Sequence, residues 1–254
     1  MSSTAGPDFP SVCIADDATF WPWLSWPRFE SMAGKGNRVV VVPVAGMADW
    51  GLGHPFDAEE TLLTTLIKGA CPLVPEGKRP LVIPPLRFVF GADPGCVFSV
   101  EQPATHALLA DVAASIAAAG FRKIVFVNAS PWNEELLGAA GRDLRVAKGL
   151  HIFQIHLSAL GFDLHPVRST SRRTVQTLLT ALYGVEPEAC GADTASTAGG
   201  WGEERVTRLP GPAASLGEAQ REAGEALPKA AARLAALLGD IADRAPLTER
   251  ITPV

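Results

Sequence analysis

The sequence predicts a three-layer α/β/α fold with a mostly parallel central sheet, and three observations predict it. Apolar runs such as "RVVVVPVA" and "RKIVFVN" are continuous rather than alternating, as strands buried on both faces must be. Stretches of helical periodicity separate those runs, so strands and helices alternate along the chain. With 254 residues, 47% of them hydrophobic, the chain can bury a substantial core, and residues 1–254 read as a single domain.

Each element follows from local chemistry. "GNRVVVVPVAG" is the first buried strand. "DAEETLLTTLIKGA" is a helix, with Asp57 placed to cap its first turn and Glu60 to reach back in a D-x-x-E variant of the capping box. "RPLVIPPL" is a short apolar run limited by its prolines. In "QPATHALLADVAASIAAAG", Pro103 suits a first helical turn, Leu108, Leu109, Val112 and Ile116 form one stripe, and Gly120 suits the C-terminal cap. "FRKIVFVNAS" is a strand ending in a polar loop. "NEELLGAAGRDLRVAKG" is a helix with Asn133 as its cap, "HIFQIHL" a strand, and "STSRRTVQTLLTALYG" a helix. Residues 184–213 form a long Gly/Ala/Thr-rich loop, too long to be mere connection. Residues 214–245 form a C-terminal helical segment, interrupted at Pro228.

The net charge of -5, with no basic cluster longer than Arg172–Arg173, gives no footprint for nucleic acid. Cys13, Cys71, Cys96 and Cys190 show no C-x-x-C spacing and read as reduced thiols. The N-terminal stretch lacks the pattern of a signal peptide, and no run of eighteen apolar residues occurs. A cytoplasmic protein that binds neither nucleic acid nor membrane is expected.

The loop "PVAGMADWGLGHPFDAEE" follows the first strand and gathers Asp49, His54, Asp57, Glu59 and Glu60 within a dozen residues. A loop at the end of a buried strand is where α/β proteins keep their ligand crevice. Asp57 and Glu60 are explained as helix caps, Glu59 by the positive end of the same helix, and Asp49 as a turn residue. His54, Glu59 and Asp49 nonetheless make the best candidates for a relocated metal site. His106, His151, His156 and His165 read as hydrogen-bonded structural residues.

Three stretches, in order, resemble the creatininase (creatinine amidohydrolase) family: "LSWPRFES" with "VVVVPVAGMADWGLGHPFDAEE", then "PPLRFVFGADPGCVFSV", then "DVAASIAAAGFRKIVFVNASPWN". "TAGGWGEE" is a fainter match to a fourth motif. The resemblance implies the family's fold and its assembly, a homo-oligomer of hexamer type or a hetero-oligomer with a creatininase-like paralogue. It also implies two divalent metals, zinc or manganese, that polarise a water to open an amide C–N bond. The framework matches at Pro43, Gly51, Pro55, Pro94, Gly95, Gly120, Phe121, Asn128, Asn133, Ala198 and Gly199.

The ligand positions do not match. Those of the family's glutamate, histidine and aspartate fall at Ala48, Trp50 and Glu59. A further ligand histidine falls at Ser130, the residue that often completes the site at Trp132, and the histidine associated with catalysis at Thr197. An indole nitrogen carries its proton and has no lone pair for a metal, and one carboxylate cannot hold two divalent ions. The sequence therefore leads us to expect no cofactor, and zinc or manganese only if the site has been rebuilt.

Trp50, Trp132 and Trp201 lie in separate loops expected to converge at the C-terminal edge of the sheet. With Ser130, Asn128 and Cys96 they define a ligand pocket, either plugged by apolar packing or walled for a flat or cationic ligand. No nucleophile comes with a base in sequence, so catalytic residues stay unassigned. Three functions remain open: a non-catalytic subunit or scaffold, a divergent hydrolase of C–N bonds, and a small-molecule binding protein with a Trp-lined pocket.

Overall fold

The structure is a computed structural model that describes residues 14–16, 18–91, 96–165, 170–188, 209 and 211–245. Its centre is strand β1 (Val39–Ala45), every residue of which is buried. On one side β1 pairs with β6 (Lys123–Asn128), and β6 with β7 (His151–His156). On the other side β1 pairs first with β2 (Leu81–Val82), then further along with β3 (Leu86–Arg87). All these pairings are parallel, as the continuous apolar runs require.

Strand periodicity divides the core in two. Val39, Val41, Ala45, Val125, Val127 and Ile155 face one layer, while Val40, Val42, Val44, Ile124, Phe126 and Ile152 face the other. Helices α2 (Ala58–Ala70), α5 (Arg172–Tyr183) and α6 (Leu216–Asp243) cover the first face, and α3 (Gln102–Ala118) and α4 (Glu134–Lys148) the second. The predicted three-layer α/β/α arrangement is the observed one. A short helix, α1 (Trp26–Glu30), precedes β1, and a two-stranded parallel ribbon, β4 (Val89–Phe90) with β5 (Ser99–Val100), lies beside the sheet. Among the described residues no helix is long and apolar enough to cross a membrane.

Several local expectations are corrected. Pro228 does not interrupt the C-terminal segment, because α6 runs through it as one 28-residue helix. The proline gives up one backbone bond, but buried residues on both sides of it, Ala219 and Ala223 before, Leu234 and Leu238 after, hold the helix to the core. Its start is set by Ser215 and Glu218, a reciprocal capping box that sequence reading missed. Asp57 and Glu60 do not cap α2. Asp57 accepts the Tyr183 hydroxyl at 2.6 Å, and Glu60 forms a two-pronged pair with Arg87 at 2.6 and 2.7 Å. Asn133 does not cap α4, since its amide joins β4 to the β6 loop, accepting from Phe90 N and donating to Phe88 O.

Candidate functional site

The loops leaving β1, β6 and β7 meet at the C-terminal edge of the sheet. Trp50, after β1, stacks on Trp132, after β6, with ring centroids 6.0 Å apart and planes 22° from parallel. His165, beyond β7, also packs on Trp132, with ring centroids 4.7 Å apart and planes tilted by 59°. Trp50 is 3% exposed, so the stack is mostly interior. Trp201, Thr197, Ala198 and Gly199 lie outside the described residues, as do Pro94, Gly95, Cys13 and Cys190.

Near the Trp50 indole lies Glu59, wholly buried in the first turn of α2. It accepts the backbone N–H of Gly46 at the end of β1. Burial pushes its carboxyl up to about 7, a rise opposed by the Gly46 amide and by the nearby Trp50 indole and Ser130 hydroxyl. Neither side chain closes a hydrogen bond of normal geometry: Glu59 Oε1, Trp50 Nε1 and Ser130 Oγ are all buried without a partner among the described residues, as is Trp132 Nε1. Ser130 is held by Asn128, which donates to Ser130 O at 2.7 Å and accepts from Ser130 N at 3.2 Å. The same Asn128 amide nitrogen lies 3.1 Å from His156 Nδ1. That nitrogen of His156 is therefore the acceptor. Cys96 is buried in a bridge to Ala48, which brings the β4–β5 segment alongside the Trp50 loop.

The Trp50 loop is held from outside by α5. Arg172 Nη2 donates to Trp50 O, and Gln176 Nε2 donates to Leu52 O at 2.8 Å. His54 Nε2 lies 3.2 Å from Thr180 Oγ1 and 3.3 Å from Gln176 O. Because a carbonyl can only accept, Nε2 carries the proton. Tyr183 closes the series on Asp57. Successive turns of one helix face thus hold residues 50, 52, 54 and 57 in order. Sequence reading missed this role, although Arg172, Gln176 and Thr180 recur at the helical interval of four.

The three candidate ligands, Glu59, His54 and Asp49, are placed differently. His54 faces α5 and stacks on Tyr183 at 5.4 Å, and its burial lowers its pKa. Asp49 accepts Gly51 N at 2.8 Å, the expected turn geometry. His54 and Asp49 share a cleft of about 410 Å³ with Phe56, Glu186 and Glu188. A larger cleft, about 870 Å³, runs along α2 and is lined by Trp23, Thr61, Lys68 and Arg87 among others. Neither cleft is lined by Trp50 or Trp132.

A profile of the creatininase family, described as creatinine amidohydrolase, matches residues 23–199. The chain belongs to the creatininase family. Solved structures similar to it include a provisionally named creatinine amidohydrolase from Bacteroides fragilis, 15% identical, which covers 92% of this chain and 100% of its own with a TM-score of 0.67. A creatininase designated Mn is 18% identical, over 89% of this chain and 99% of its own, with a TM-score of 0.60. A mutant creatininase of Zn–Zn type is 20% identical over the same shares, with a TM-score of 0.61. At such identities the likeness shows the creatininase fold alone. A search of curated proteins gave no match.

The described residues do not by themselves make a site for a pair of such metals. Among the described residues no three His, Cys, Asp or Glu side chains gather closely enough to hold a metal ion. Glu59, the carboxylate that the sequence resemblance sets at a ligand position, has an indole N–H, a hydroxyl and a backbone N–H for neighbours. Such a set supplies one strong donor of electron pairs where a binuclear centre needs several.

Proposed function

We propose that this creatininase-fold chain is a non-catalytic subunit or scaffold, assembling with itself or with a creatininase-like paralogue. The observation that carries the reading is a fully buried, singly hydrogen-bonded Glu59 beside Trp50, whose ring stacks on Trp132. Water activation needs an open coordination position beside an electron-rich ligand set. Here aromatic packing covers the site, and the carboxyl beside Trp50 faces donors.

A second reading draws on the cleft that joins His54 and Asp49 to Glu186 and Glu188. It offers imidazole and carboxylates in an open setting, as the acid–base chemistry of a divergent hydrolase of C–N bonds would need, while no three of them lie close enough to hold a metal ion. The Trp-walled binding protein is less well supported, because the indoles stack on each other and line neither cleft.

The deciding experiment incubates the purified chain with creatinine and a panel of lactams and cyclic ureas, with added zinc or manganese. No turnover is expected, together with an oligomer by light scattering that recruits an intact creatininase chain when the two are co-expressed. Metal-dependent ring opening by the chain alone would replace the first reading with the second.

A further inference from the structure

Resting on the reading of a disassembled metal centre, we propose that this pocket rejects divalent cations through an inverted polarity, and that Trp50 and Ser130 set it. A cation site surrounds its ion with lone pairs. This one sets a backbone N–H on its single carboxyl and keeps two more donors near it. Gly46 N–H occupies one oxygen of Glu59, and the indole and hydroxyl flank the carboxyl. Trp50 Nε1 and Ser130 Oγ are buried and have no hydrogen-bond partner among the described residues, and the stack on Trp132 sets the plane of the Trp50 ring. The backbone that carries both side chains is held in place, at the Trp50 carbonyl by Arg172 and at the Ser130 carbonyl and amide by Asn128.

An ion entering here would lose its water shell and gain one full negative charge at most. It would also meet the positive edge of an indole N–H. Burying a doubly charged ion on such terms is unfavourable. Bulk contributes, but bulk alone would be served by phenylalanine and alanine, which bring no protons. The donors are the informative choice.

The test compares wild type with Trp50→His/Ser130→His, which would set two imidazoles against the native Glu59. Each protein is dialysed against zinc at neutral pH, desalted and analysed for bound metal, with melting temperature measured alongside. Wild type is expected to retain no stoichiometric zinc and to show no shift. The double variant is expected to retain one zinc per chain and to melt higher with the metal than without. The single variants Trp50→His and Ser130→His cover the case in which the pair does not fold, each gaining at least about tenfold in zinc affinity. Stoichiometric zinc in wild type, or folded variants that take up none, would overturn the proposal. Its fate is separable from that of the functional reading. A wild type that opens a cyclic amide without zinc sinks only the non-catalytic role, and one that binds zinc without turnover sinks only the inverted pocket.

Discussion

The amide of Gly46 bonds to the Glu59 carboxyl at a point where residue 46 has no space for a side chain. A Cβ there would run into Val89 and sit 3.2 and 3.3 Å from the two carboxyl oxygens. Gly46→Ala is therefore expected to displace either the β4 segment or the carboxyl. Overpacking of this kind costs about 1–3 kcal/mol. A lower urea midpoint with an unchanged slope would show it, and a midpoint equal to wild type would mean that β4 yields freely.

Glu59 itself should make stability depend on pH. Its folded pKa of about 7 lies above the ordinary 4.5, so the folded state binds its proton more tightly than the unfolded state does. Its favourable contribution is complete below about pH 4.5, fades as pH rises toward 7, and leaves a constant cost above that. The gap amounts to about 3 kcal/mol at most. Glu59→Gln keeps an acceptor for Gly46 N–H and removes the charge, so it should match wild type near pH 4 and exceed it near pH 8. Unfolding curves of both proteins at the two pH values measure the difference. A variant weaker than wild type at pH 8 would show that the ionised form is favoured in the fold.

The fold, the ends of α3 at Pro103 and Gly120 and the convergence of Trp50 with Trp132 were legible in the sequence, whereas the fates of Asp57 and Asn133 were not, and for those two the reason is distance along the chain. A buried parallel strand has to be apolar along its whole length, so "RVVVV" and "KIVFV" declare themselves locally. Loops after such strands emerge at one edge, which is why Trp50 and Trp132 could be expected to meet. Asp57 and Asn133 have the composition of helix caps, but their bonds go to Tyr183, 126 residues away, and to Phe88 and Phe90, 45 and 43 residues away. Local propensity cannot foresee a tertiary partner that offers a better bond. The α5 face was hidden for the same reason, as its polar residues look like an ordinary solvated stripe until the Trp50 loop is laid against them. Pro228 misled because its local cost was visible and the packing of α6 that offsets it was not.

Gln176 is the most demanding member of that stripe. It is 1% exposed and donates to both Leu52 O and Gly211 O, at 2.8 and 3.2 Å. Gln176→Ala leaves both carbonyls without this partner, a loss of about 2–3 kcal/mol. Because the bonds fix a loop rather than a strand, backbone hydrogen exchange at residues 51–54 should accelerate far more than exchange in β1. Equal acceleration in both segments would show that the helix supports the whole domain and not the loop in particular.

The Trp50–Trp132 stack distinguishes a plug from a wall. Two indoles 6.0 Å apart and nearly parallel couple optically, so Trp132→Phe should abolish a paired near-ultraviolet dichroism band that wild type displays. Trp132→Ala removes a large, half-buried ring, and a cost of about 3 kcal/mol follows from the area lost and the vacancy left against Trp50. If the ring serves as packing, the vacancy is apolar and of indole size, and free indole should bind there. It would then raise the melting temperature of Trp132→Ala while leaving wild type unmoved, since only the variant has an empty place for it. A wild type already stabilised by indole or by flat cations would instead show that the pair parts to admit a guest, which is the behaviour of a binding wall.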